Sequence, residues 1–229
     1  MTYDPDDPKT WHGFKPTIIA HDVARSRDRS TAVVGGFSPF HPHLLGIDHL
    51  EELPQGLCGS DRANALAEVD RRYLNNALIV ADLSNDPSYA EVLAHTFGPR
   101  VVGVQITRNG DGSTFERRPT PHGVIPVYTI GRTNLIEGFL AELERDDVRP
   151  VKDAMWRMAY QQLADLEVED KEYARIYKCV SGRHDDLGIS CAMLVWAARH
   201  PHLSAWVQIS ERPRILRKPR PAPSPRAWT

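Results

Sequence analysis

Two short apolar runs limit what this chain can fold into. They are "PTIIAHDVA" at 16–24 and "NALIVADL" at 76–83. Runs of this length, bounded by turn-forming residues, fit strands buried on both faces better than helices. Each holds an aspartate, Asp22 inside the first and Asp82 at the end of the second. A carboxylate in such a place costs free energy unless it is paired, hydrogen-bonded or bound to a cation. The fold therefore has to bring something to both.

Between and after these runs the pattern changes in a regular way. "STAVVGGF" (30–37) follows the charged turn "RSRDR" and reads as the hairpin partner of the first strand, with a third strand in "HLLGIDHLEEL" (43–53). Ser60 is a good N-cap for a helix with Leu66, Val69 and Tyr73 along one face. After Asp82, Asp86 can cap and Pro87 can open a helix that stops at Gly98. A strand is expected at 100–107, then a turn-rich stretch, "RNGDGSTFERRPTPHGVIPVY", read as a protruding hairpin or loop. Leu135, Ile136, Phe139, Leu140 and Leu143 form one helical stripe, and another helix is expected over "DAMWRMAYQQLADL". Strands first, then strands alternating with helices, indicate an α/β domain with helices packed on the faces of a sheet. Residues 16–205 read as one domain, preceded by an extension at 1–15 and followed by a Pro/Arg-rich tail at 206–229, expected to be flexible.

Composition adds exclusions. At 229 residues, 41% hydrophobic and 25% charged, the sequence is that of an ordinary soluble domain. No apolar run reaches the ~18 residues a membrane span needs, and the acidic, proline-rich N-terminus is unlike a secretory signal. A cytoplasmic location is the expectation. The 3 cysteines have no CxxC spacing, which fits a reducing compartment and offers no zinc framework. The net charge of −2 hides a basic tail, six Arg or Lys against one Glu from Glu211 onward. That tail either solubilises or touches a nucleic-acid backbone.

A third acidic site opens the last apolar stretch, "GRHDDLGISCAMLVWAA". Asp185 and Asp186 there have two readings. Acids in the first turn of a helix satisfy free amides and the helix dipole. Alternatively, with Asp22 and Asp82, they complete a set of oxygen ligands. Such groups gather at strand ends beside helix N-termini in α/β sheets. An all-oxygen set suits Mg2+ or Mn2+ rather than zinc, and two such ions about 4 Å apart can drive phosphodiester cleavage. The histidine pairs "HPH" at 41–43 and 200–202 lack companions at ligand spacing and read as structural or surface.

Taken in order, "HDVARSRDRSTAVVGGF", "ALIVADLSNDPSYAEVLAHTFG" and "GRHDDLGISCAML" resemble the three motifs of the ribonuclease H-like nucleases. Within that superfamily the chain looks most like the nuclease domain of the large terminase subunit of tailed bacteriophages. The resemblance spans about residues 16–200 and implies a central mixed β-sheet flanked by helices. It implies a metal-dependent endonuclease cutting concatemeric double-stranded DNA during genome packaging, in the cytoplasm of a bacterial host. Asp22, Asp82 and Asp186 become the catalytic metal ligands, with Asp185 as a further ligand and two Mg2+ or Mn2+ ions as cofactors. Asp28 and His184 become outer contacts, and Arg25, Arg27, Arg29, Arg117 and Arg118 candidates for DNA contact. A packaging ATPase domain, a small terminase subunit and the portal are the implied partners.

In two respects the sequence departs from that pattern. "DLSNDPSY" stands where many such domains have a glycine-rich turn, and the sequence contains no GxxxxGK[ST] loop for ATP. The chain is then an excised nuclease domain or a stand-alone relative. Two other classes share the acids or the scaffold: a Holliday-junction or hybrid nuclease, and a non-catalytic protein that binds DNA or portal.

Overall fold

In a computed structural model of the chain, residues 18–23, 29–38, 41, 43–72, 76–108, 114–171, 174–180 and 184–203 are described. The terminal segments 1–15 and 206–229, with Tyr73, lie outside them.

The two apolar runs form neighbouring parallel strands, β1 (Ile18–Asp22) and β4 (Leu78–Asp82), in register from Ile18 with Leu78 to His21 with Ala81. Every residue of both strands is buried. β2 (Thr31–Phe37) returns antiparallel to β1, and β3 (Leu45–Glu52) antiparallel to β2. The ladder shifts after Val34, which faces His49, while Gly35 faces Ile47, leaving Asp48 as the extra residue of a bulge. Gly35 is required there, since a Cβ would stand 2.3 Å from the Gly46 carbonyl oxygen.

Beyond β4 the sheet continues with β5 (Val101–Thr107), parallel to β4. The turn-rich stretch expected as a hairpin or loop folds as a hairpin of β6 (Thr114–Thr120) and β7 (Gly123–Gly131), and β7 joins the sheet parallel to β5. A short strand, β8 (Val148–Pro150), pairs with β3 at the other edge. The order is β6-β7-β5-β4-β1-β2-β3-β8, an eight-stranded mixed sheet. A separate two-stranded hairpin, β9 (Glu167–Lys171) with β10 (Ala174–Lys178), is absent from the sequence reading because its charged run "EVEDKEYARIYK" hides the period of two.

Alternation along the strands divides the core in two. Ile19, Ile79, Ala32 and Val34 face α1 (Gly59–Arg72) and α2 (Tyr89–Phe97). Ile18, Ala20, Leu78 and Val80 face α3 (Arg132–Glu144), α4 (Ala154–Ala164) and α5 (Asp186–Arg199). Helix α5 is buried nearly all round, which explains its continuous apolar sequence. It lies across β1, β2 and β3 and packs on α3 and α4. Gly188 permits the close approach of α4, where a Cβ would meet Leu163 at 2.8 Å.

Two helix starts differ from the sequence expectation. α1 begins at Gly59, so Ser60 lies inside it rather than capping it. α2 begins at Tyr89, after a turn in which the Asp86 and Pro87 carbonyls accept from Tyr89 and Ala90. Gly98 ends α2 with φ 60°, the left-handed conformation that favours glycine. Among the described residues no helix is long and apolar enough to cross a membrane.

Candidate metal and nuclease site

Asp22 and Asp82 are the last residues of β1 and β4, and both continue the register that faces α5. Asp186 is the first residue of α5, and Asp185 precedes it. Four acidic residues from distant parts of the chain thus line one cleft of about 720 Å³. Ser84, Arg108, Arg132, Tyr177, Lys178 and Cys179 line it as well. None of these six carried a sequence signal of its own.

The electrostatics agree with the geometry. Burial, with repulsion from Asp82 and Asp186, pushes the Asp22 carboxyl well above the usual carboxylate range. Burial also raises Asp82, opposed by hydrogen bonds from Ser84 and by the charge of Arg132. The Ser84 amide and hydroxyl both donate to Asp82 Oδ1, the amide at 2.8 Å, which fixes the carboxylate at the strand end. The Ser84 hydroxyl in turn accepts from the Ile106 amide at 2.6 Å, tying the turn to β5.

The arrangement can accept a cation. Among the described residues no three His, Cys or carboxylate side chains form a ready-made cage. Asp22 is nevertheless repelled by both Asp82 and Asp186 across a partly solvated cleft, and a divalent ion would relieve that repulsion. Their donors are all oxygen, which suits Mg2+ or Mn2+.

The helix-cap reading of the acidic pair meets a specific finding. The Asp185 side chain makes no capping hydrogen bond. The Gln162 side chain of α4 serves that end of α5 instead, its Oε1 accepting from the Gly188 amide at 3.1 Å. Asp185 is engaged elsewhere, in an ion pair with Arg132, the first residue of α3. The structure thus separates two neighbours that the sequence treats alike.

The remaining candidates divide. His184 is exposed, with Nδ1 4.0 Å from Asp186 Oδ2, at the limit of an ion pair. Arg29 is paired with Glu52 at 2.7 Å. Arg117 and Arg118 sit on β6 opposite Pro126 and Ile125, roughly 20 Å along β7 from the cleft end at the ~3.3 Å rise of a strand. Arg118 is also paired with Glu116. These two arginines are not brought to the acids. Asp28, Arg25 and Arg27 lie outside the described residues. Of the histidine pairs, His200 packs against Tyr128 and Trp196, as a structural residue does.

No family model matches the chain, and none of the curated proteins matches it. Solved structures do. The large terminase nuclease from thermophilic phage G20c with bound cobalt aligns with a TM-score of 0.58 and 18% identity over 84% of this chain and 82% of that one. The same nuclease with bound magnesium gives 0.57 and 17%, over 84% and 82%. The large terminase nuclease domain from bacteriophage SPP1 with bound Mn gives 0.50 and 13%, over 85% and 93%. The chain has the ribonuclease H-like fold of the large terminase nuclease domains, a mixed sheet flanked by helices.

Proposed function

We propose that this chain is a metal-dependent endonuclease that cuts double-stranded DNA. One observation carries the reading: Asp22 and Asp82 end adjacent parallel strands on the face where α5 presents Asp186, so three distant acids share one cleft. Asp22, Asp82 and Asp186 would hold the ions. When bound, a divalent ion supplies Lewis acidity toward the phosphate and lowers the pKa of water. The protein's own residues bind and orient. Ser84 holds Asp82, Gln162 holds the start of α5, and the exposed cations Arg108 and Lys178 line the approach to the acids. The Mg, Co and Mn bound to the similar nucleases support a divalent cofactor here.

The same similarity supports a place in viral genome packaging, where such an enzyme cuts concatemeric DNA in the cytoplasm of the bacterial host. A packaging ATPase domain, a small terminase subunit and the portal are then its natural partners. The test is incubation with supercoiled plasmid and Mn2+ or Mg2+, with and without chelator. Cleavage that chelator abolishes is the expected result. Intact plasmid in every lane counts against the proposal, and preference for a four-way junction or an RNA–DNA hybrid redirects it to another nuclease class.

A further inference from the structure

Among the described residues, Arg132 is the cation that acts on both Asp22 and Asp82, lowering each against the burial that raises them. It is placed by topology. β7 runs parallel to β5 and β4, so it ends at the same end of the sheet as Asp82, and Arg132 follows at the first turn of α3. The side chain is 21% exposed and lines the cleft. Its hydrogen-bond partner among the described residues is Asp185, through Nη2.

A guanidinium has five N–H donors in a planar fork that matches the oxygens of a phosphate. Asp185 engages one Nη of that fork, and Arg132 lines the cleft. Net charge points the same way. Three further carboxylates, Asp22, Asp82 and Asp186, act on the guanidinium, so it offers an incoming phosphodiester positive charge right beside the acids, deeper than the exposed Arg108 and Lys178. Such a fixed donor next to the reacting group stabilises charge that builds up during the reaction.

We propose that Arg132 binds a non-bridging oxygen of the scissile phosphate, and that Asp185 positions Arg132 rather than serving as a metal ligand. The inference rests on the nuclease reading above and names the substrate contact within that site. It divides the "DD" pair by role: Asp186 holds metal, and Asp185 holds the arginine that holds the phosphate. It also explains why Asp185 makes no helix cap although it stands at the capping position.

The test compares parent, Arg132→Ala, Arg132→Lys, Asp185→Asn and the Arg132→Ala/Asp185→Asn double variant. Mn2+ affinity is measured by calorimetry, plasmid cleavage by initial rates, and folding by circular dichroism. Asp185→Asn is expected to keep Mn2+ affinity within about twofold while cleavage falls about tenfold. Arg132→Ala should lower kcat/KM by about 100-fold or more, the scale of losing one fixed transition-state donor. Arg132→Lys keeps the charge without the fork, guards against a folding defect, and should fall between parent and Arg132→Ala. The double variant should be no worse than Arg132→Ala alone, because Asp185 acts through Arg132. A loss of Mn2+ affinity of tenfold or more in Asp185→Asn would make it a metal ligand and overturn the assignment. Cleavage by a folded Arg132→Ala variant within twofold of the parent would do the same. A parent that cuts nothing removes the nuclease reading itself, and this one with it; an active parent with an unimpaired Arg132→Ala variant removes this one alone.

Discussion

The Thr31 hydroxyl lies 2.7 Å from that of Ser190, a buried bond between β2 and α5. Thr31 also stands opposite Asp22 in the β1–β2 ladder, and its hydroxyl comes within 3.4 Å of the Asp186 carbonyl. One side chain therefore fixes the helix that carries Asp186 against the strand that carries Asp22.

Thr31→Val keeps the shape and removes the hydroxyl, leaving Ser190 without this partner in a fully buried position. The expected cost is about 1–3 kcal/mol, the penalty for an unsatisfied buried group. Thermal melts check it. Mn2+ affinity should fall as well, because Asp186 loses its register with Asp22. Thr31→Ser should restore both, and a Thr31→Val protein as stable as the parent would remove the hydroxyl from this role.

Asp22→Asn should abolish metal-dependent cleavage and weaken Mn2+ binding by tenfold or more, since one ligand charge is lost. In chelator its stability should equal or exceed that of the parent. The reason is the repulsion from Asp82 and Asp186, which the amide does not feel. Calorimetry and melting in the presence and absence of Mn2+ separate the two effects. Parental cleavage by this variant would show Asp22 to be structural.

Asp48 gives the fold a pH dependence away from the cleft. At the β3 bulge, burial pushes its carboxyl up to about 7, against a smaller opposing pull from His49. A carboxyl raised in the folded state binds its proton more tightly than in the unfolded chain. Its contribution is therefore greatest below about pH 4, falls as pH rises toward 7, and is constant above that. The loss is of the order of 4 kcal/mol, at about 1.4 kcal/mol for each of roughly three pH units. Asp48→Asn should remove that slope and be more stable than the parent at pH 8. Denaturant melts from pH 4 to 8 on both proteins check the difference, and parallel profiles would contradict it.

Asp70 is fully buried and paired with Arg100 at 2.8 Å, while it also accepts from the Ala77 amide at 3.1 Å. The pair anchors the end of α1 to the start of β4. Arg100→Met should cost about 3–5 kcal/mol, because it leaves a buried carboxylate without its cation. Asp70→Asn/Arg100→Met should recover much of that loss. Chemical denaturation of the single and double variants measures it.

Gln162→Ala tests which side chain caps α5. It should lower stability by about 0.5–1.5 kcal/mol, the net worth of one hydrogen bond. A neutral Gln162→Ala in thermal melts would return the capping role to other groups.

Much of this protein was legible along the chain. The continuous apolar runs around Ile18–Ala20 and Leu78–Ala81 announced strands buried on both faces, and their aspartates stood out as candidate site residues, because the cost of burying a carboxylate is local and independent of topology. The continuous apolar run after Asp186 announced the last helix, and its burial nearly all round followed from the fold. The order of these pieces carried the resemblance that the solved structures bear out at the level of the fold.

The tertiary structure decided the partners. Arg132 and Asp185 are 53 residues apart, and Thr31 and Ser190 are 159 apart. No periodicity in a single sequence reports which strand end will lie beside which helix start. The same limit applies to Gln162, which caps a helix that begins 24 residues later, and to the β9–β10 hairpin, whose charged strands bring Tyr177 and Lys178 to the cleft. Asp185 and Asp186 are chemically identical neighbours, so the sequence by itself determined only that two acids open the helix. The pairing of β7 with β5 placed Arg132 next to one of them, and that long-range ladder gave the two acids different surroundings.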